Sequence, residues 1–507
     1  MLFRRGKMVT RVFTASLVGV AGYLVTVETD IHRGMPSYSI VGLADATIRE
    51  SFRRIKSALV NSSYDIPAQR ITINLVPAGK RKEGSHFDLP IAVGLVLSGK
   101  ECRALEDTAF FGELSLDGRV NRINGALPLA LSIRKEGIRR VVLPSSNADE
   151  VSIIDDMEII PVRTLEEAIT FVMNPDLFEN HSPRAVMRTE KSDMDYIQVI
   201  GQETVKRALV IAAAGNHGIL MMGGPGCGKT MMARRLPTIM PDMTREEQLE
   251  ITGIYSVAGL LDEKNPYIYE RPFRSPHHTV SAAGLAGGGT GRVKPGELSL
   301  AHGGVLFLDE LGEFDSKAID AVRQPLEEGV VRICRNAEEI VFPSECLVAA
   351  AANPCKCGNL WSDTRVCTCT SRQLQAYERK LTGPFADRID MHIKVNGVSG
   401  EDVEKGHKGA CSAEMKAQVE ACREIQAHRY QGTSYDTNGS LDEEGIELFC
   451  RMDDEAKDML GRAYESMDMN MRVYSKLIKI SRTIADLDGS VDIRGEHIAE
   501  AIMYRVK

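Results

Sequence analysis

Apolar residues recur every second position through short runs of the first third of the chain, and between these runs the period lengthens toward 3.6. "YLVTVETDI", "SYSIVGL", "QRITINLVP" and "RVVLPSS" read as strands, while "ATIRESFRRIKSALVNS" and "DLPIAVGLVLSG" read as helices. Their mixture predicts an α/β domain over residues 1–173. Charged residues without pattern, "NPDLFENHSPRAVMRTEKSD", mark a linker over 174–195. From 196 to 395 the strands become continuous apolar runs such as "VLFL" and "CLVAAAA". Runs of that kind belong to a parallel sheet buried on both faces. Residues 396–507 read as helical, with "EMKAQVEACREIQAHRY" and "VYSKLIKISRTIADL" as the clearest cases.

Length and composition narrow this picture. A chain of 507 residues exceeds what one core organises, so several domains are expected. The net charge of -8 argues against a generally basic nucleic-acid coat but leaves room for one local basic channel. Of eleven cysteines, seven are scattered without a framework, which points to a reducing compartment and a cytoplasmic protein. The opening "MLFRRGK", followed by "VFTASLVGVAGYLV", has the charge order of a signal peptide, yet it continues into strand-like alternation and lacks a clean cleavage site. No segment reaches the roughly twenty apolar residues of a membrane span.

The chemistry begins at "ILMMGGPGCGKTMMARRL", where Gly223, Gly224, Pro225, Gly226, Cys227, Gly228, Lys229 and Thr230 form a phosphate loop between a strand and a helix. Glycines let backbone N–H groups curl around phosphates, Lys229 reaches the β- and γ-phosphates of ATP, and Thr230 ligates Mg²⁺. Further on, "GGVLFLDELGEF" ends an apolar strand in Asp309 and Glu310. Two acids there are costly unless a cation or a reacting water uses them, so Asp309 is expected to hold Mg²⁺ and Glu310 to polarise the attacking water. "CLVAAAANP" reads as the next strand of the same sheet, which puts Asn353 at the carboxyl end where ligands of such sheets bind. Arg388 in "GPFADRID" and Arg472 at a helix start are candidates to neutralise transition-state charge, although a plain surface role fits either one equally well.

Together, "GGPGCGKT", "LFLDE", "AAANPC", "GPFADRID" and "RTIADL" resemble the magnesium-chelatase-like branch of the AAA+ ATPases, and "GMPSYSIVGLADATIRESFRRIKSAL" with "RPFRSPHHTVSAAGLAGG" narrows the resemblance to the YifB/ComM family. The resemblance covers nearly the whole chain. It implies an AAA+ core with a parallel sheet and a helical lid, assembled as a homo-hexamer that hydrolyses ATP and works on single-stranded or branched DNA during branch migration. It makes Asn353 a first sensor, Arg388 a finger toward the neighbouring subunit and Arg472 a second sensor, with Gly201 and Gln202 near the adenine. By the same analogy Phe273–Glu297 holds DNA-facing positions, among them Arg274, Arg292 and Lys294. The adjacent His277 and His278 lack an acid or cysteine at ligand spacing and read as structural.

The amino-terminal domain resembles the ribosomal-S5-like domain of Lon-type proteases through "FFGELSLDGRVNRINGALPLALSIRKEGIRRVVLPSSNADEV". Lon-type proteolysis needs a serine and a lysine. On this comparison His86 or a neighbour such as Ser85 takes the serine's place and Pro128 the lysine's, so a non-proteolytic adaptor is expected.

One motif stands apart. Cys355, Cys357, Cys367 and Cys369 form a C-x-C pair repeated after nine residues, directly beyond Asn353. Four thiolates can close a structural Zn²⁺ site around a loop too short for its own core. Two disulfides or four unrelated thiols remain open, although a reducing compartment weighs against disulfides. Cys227 inside the phosphate loop reads as a small residue at a variable position rather than a redox control.

Overall fold

A computed structural model of the chain describes residues 9–182, 194–289, 292–335, 338–361, 365–381, 383, 385–397, 409–467 and 469–505. The first apolar alternation becomes a hairpin, Thr10–Val18 paired antiparallel with Ala21–His32, so the apolar part of the signal-like opening is built into a sheet, while its charged part, residues 1–8, lies outside the described residues. That sheet has seven strands in the order Ser37–Val41, Arg70–Val76, Ala21–His32, Thr10–Val18, Thr108–Phe110, Arg140–Pro144 and Glu158–Val162. Its mixed pairing reflects the hairpin start followed by parallel crossovers. One face packs on the helices Ala46–Asn61, Asp88–Val96 and Leu165–Met173, and the other on Ala126–Lys135. Asp45 and Thr164 cap two of these helices by accepting from backbone N–H groups, as short polar side chains do at helix starts.

The second sheet is parallel throughout, in the order Phe273–Arg274, Val305–Leu308, Leu347–Ala352, Ile219–Met222 and Met391–Lys394. Three of these strands are buried at nearly every position, the pattern expected of a sheet covered on both faces. Helix Glu203–Gly215 covers one face together with the carboxy-terminal helices Ser412–Arg429 and Met471–Leu487. Helix Ser316–Glu328 and the segments around Leu285 and Leu298 cover the other. Between that helix and the strand Leu347–Ala352 an antiparallel hairpin, Val330–Arg335 with Glu338–Pro343, packs on this side through buried Val331 and Phe342. The carboxy-terminal region is helical, as its period predicts, and is tied internally by Arg482 and Arg429, which share the buried carboxylate of Asp486.

The two α/β units are in direct contact. Helix Arg245–Ala258 lies against Ala126–Lys135, Gly125 donates its N–H to the Ser256 carbonyl at 3.1 Å, and the Ser256 hydroxyl donates to buried Glu150 at 2.5 Å. The segment expected to be a linker is anchored to the first unit at its start: Ile159 N–H donates to Asn180 at 2.8 Å, and His181 meets Asp149 at 2.8 Å. Its remainder, 183–193, lies outside the described residues.

Candidate functional site

The strand Ile219–Met222 runs into the glycine loop, and helix Lys229–Arg234 starts immediately after it. Gly226 and Gly228 take φ values of 81° and 88°, which side chains rarely adopt, so the loop's tight path depends on them. Lys229 is only 8% exposed, and its ammonium donates to the carbonyls of Gly223 at 2.6 Å and Gly224 at 2.9 Å. A third acceptor is Asn353 Oδ1 at 3.3 Å. A charge this deep is tolerated because several oxygens surround it. Asn353 therefore reaches Lys229 from the end of the neighbouring strand, the position at which the sequence placed it.

Thr230 Oγ1 donates to Asp309 Oδ2 at 2.7 Å, so the two Mg²⁺ candidates already face each other across adjoining elements. A hydroxyl and a carboxylate are hard oxygen donors, and the pair fits a Mg²⁺ site. Glu310 follows with φ 53° and ψ 47°, a left-handed conformation costing a non-glycine residue roughly 1–2 kcal/mol. Its backbone N–H donates to Asp309 Oδ1 at 3.0 Å, and its side chain is half exposed.

His278 Nδ1 lies 3.5 Å from Glu310 Oε2, and its ring rests 4.1 Å from that of His277. The pair lacks ligand spacing, and a purely structural reading of it overlooked this contact. The pairing of strands makes it: Phe273 pairs in parallel with Val305, so the residues that follow each strand emerge at the same end of the sheet.

Arg388 and Arg472 converge. Arg388 Nε lies 3.0 Å and Arg472 Nη2 2.5 Å from one oxygen of Glu327, on helix Ser316–Glu328. Arg472 is the second residue of helix Met471–Leu487, capped by Asn470. Nearby, Asp390 meets Lys476 at 2.9 Å and His217 at 3.7 Å. Burial works to raise its pKa, but the Lys476 ammonium and the hydrogen bond with His217 outweigh burial and hold it well below the usual carboxylate range. At the other edge Gly201 and Gln202, with φ 63° and 61°, open helix Glu203–Gly215, and Gln202 donates to the Asn396 carbonyl at 2.6 Å.

Two expected DNA-facing cations are engaged elsewhere. Arg274 forms a two-pronged pair with Glu297 at 2.7 and 2.8 Å, and Arg292 is half-buried, with its guanidinium close to Gly125 of the first domain. Lys294 is exposed. The protease comparison ends at buried carbonyls: His86 contacts the Ala15 carbonyl at 2.9 Å, and burial pushes its pKa down to about 4. Pro128 is buried in the helix Ala126–Lys135, while Lys82 donates to the carbonyls of Pro77 and Lys80.

The sulfurs of Cys355, Cys357, Cys367 and Cys369 all lie within 4.8 Å of one another. Three of the separations are 3.4, 3.6 and 3.7 Å. A tetrahedron with Zn–S bonds of about 2.3 Å has edges of about 3.8 Å, whereas a disulfide needs about 2.05 Å. The cluster therefore has the dimensions of a Zn²⁺ site, and all four cysteines are free thiols. Backbone N–H groups of Asn359 and Thr368 point at Cys357 and push its thiol down to about 5.

Family models agree with this architecture. The model for magnesium chelatase, subunit ChlI, matches residues 195–403, that for subunit ChlI of Mg-chelatase matches 27–147, and that for the ChlI carboxy-terminal region matches 409–505. The chain is 39% identical to the competence protein ComM of Haemophilus influenzae, over 97% of each chain. It is 37% identical to the YifB protein of Escherichia coli, over 97% of this chain and 96% of the relative. A shorter similarity, 27% identity over 32% of this chain, links it to the peroxisomal Lon protease homolog 2 of Caenorhabditis elegans. With its parallel nucleotide-type sheet, helical carboxy-terminal region and full-length relatives, the chain belongs to the YifB/ComM family of magnesium-chelatase-like AAA+ proteins.

Proposed function

We propose that this chain is an ATP-hydrolysing motor that assembles as a ring of identical subunits, a hexamer by family analogy, and drives DNA branch migration in the cytoplasm. The observation that carries the hydrolysis is the convergence of Lys229, Thr230, Asp309, Glu310 and Asn353 at one end of the parallel sheet. Lys229 binds the phosphates by exchanging loop carbonyls for phosphate oxygens. Mg²⁺ held by Thr230 and Asp309 would supply charge neutralisation at the phosphate oxygens. Glu310 accepts the proton of the attacking water while Asn353 orients that water. Arg388 and Arg472 add positive charge once released from Glu327.

The DNA part of this reading draws on the similarity to ComM. A second reading, ATP-driven protein remodelling, is favoured by the magnesium-chelatase family matches. ATPase rates measured with and without single-stranded or branched DNA separate the two. Stimulation by a DNA form is expected, and a rate indifferent to every DNA form transfers the weight to remodelling. The cysteine cluster holds one Zn²⁺ in this proposal, and the donor set and its spacing support that assignment. Among the described residues no helix is long and apolar enough to cross a membrane.

A further inference from the structure

The cysteine cluster is built against the nucleotide site from two directions. On one side Gly358, the residue directly after the first C-x-C pair, takes φ +79°, and a Cβ there would lie 2.8 Å from the Pro225 ring of the phosphate loop. Gly358 is held there by donating its N–H to the Cys355 carbonyl at 2.9 Å, and its own carbonyl faces Gly224. On the other side fully buried Cys355 stands two residues beyond Asn353, the acceptor for Lys229. Farther along, the Trp361 ring lies 5.1 Å from the Lys394 ammonium, at the end of the strand that pairs with Ile219–Met222. Residues 353–361 thus roof the phosphate loop without belonging to any helix or strand.

A roof of this kind has no core of its own. Its order depends on what joins Cys355 and Cys357 to Cys367 and Cys369, and freezing it anew at each binding event would subtract from nucleotide affinity. Resting on the Zn²⁺ reading above, we propose that the metal bound by the four cysteines preorganises the phosphate loop, through Gly358 on Pro225 and Asn353 on Lys229, so that metal occupancy sets the affinity for nucleoside triphosphate. Loss of the ion by chelation would then weaken nucleotide binding without touching any residue that contacts phosphate.

The test uses the full chain and two independent readouts: zinc per chain by elemental analysis, and affinity for a fluorescent ATP analogue in excess Mg²⁺. Protein prepared without chelators is expected to carry one zinc per chain. Stripping it, followed by dialysis into Mg²⁺ buffer, is expected to weaken the analogue about tenfold, and Zn²⁺ is expected to restore the affinity. Well under one zinc per chain, even after Zn²⁺ addition, overturns the metal assignment. One zinc per chain with unchanged affinity after stripping overturns the coupling and leaves the metal assignment standing. Because ligand variants risk misfolding, Gly358→Ala provides the second arm. It keeps all four sulfurs, is expected to retain zinc and to lose affinity, and full retention of both overturns the proposed contact.

Discussion

Glu310 adopts a backbone conformation that leaves its carboxylate directed by its neighbours rather than by helix or strand geometry, and His278 is the neighbour within reach. Replacing Lys229 with alanine removes the only ammonium in the loop and should abolish nucleotide binding, as a titration with labelled ATP would register. Glu310→Gln keeps shape and loses the base, so ATP should still bind while turnover falls by roughly two to four orders of magnitude. His278→Ala should lower kcat about tenfold, an order-of-magnitude expectation for a lost positioning contact, with KM for ATP unchanged. An unaltered kcat would remove His278 from the machinery. The phosphate loop and both acids were legible as sequence because their spacing is dictated by local backbone chemistry. The histidine was not, since its partner is contributed by a different strand.

At the level of elements, helix Ser316–Glu328 carries the carboxylate that gathers Arg388 and Arg472 from two separate segments. Glu327 is 41% exposed, and ion pairs of that exposure contribute on the order of 0–1 kcal/mol. Glu327→Gln should therefore leave the melting temperature nearly unchanged while altering the ATPase rate, because two guanidinium groups lose their common anchor. A large drop in melting temperature with an unchanged rate would make the cluster structural instead. Arg388→Ala should impair hydrolysis and leave the subunit folded, as circular dichroism and phosphate release would show. The hairpin Val330–Pro343 illustrates an element the pattern left unread. Its strands carry charged residues at many positions, such as Arg332, Glu338 and Glu339, so the period-two signal is diluted where one face has no core to meet.

For the whole molecule, buried neutral histidines set the response to acid. His86 in the first domain and His392 in the core sheet are both pushed down to about 4 by burial. An unfolded histidine titrates near 6.5, so between about pH 6.5 and 4 the unfolded chain binds more protons, and stability falls as pH drops through that window. The stability is fully present above pH 6.5. Each histidine contributes on the order of 3 kcal/mol to the loss. Urea midpoints at pH 7 and pH 5 should differ accordingly, and His86→Gln should flatten the dependence. Coincident midpoints for the unaltered chain would contradict the burial argument.

The sequence by itself determined the order of units, the phosphate loop with its two acids, the parallel sheet and the helical carboxy-terminal region, because each rests on local periodicity or on fixed short spacing. Tertiary structure alone decided which distant side chains share an oxygen or a ring contact. It brought His278 to Glu310, set Arg388 and Arg472 on Glu327, paired Arg274 with Glu297, placed Arg292 beside Gly125, and laid Gly358 on Pro225. Those contacts join residues far apart along the chain. Only the stacking of sheet strands and the closure of loops over them fixes such distances, and no local spacing rule encodes either.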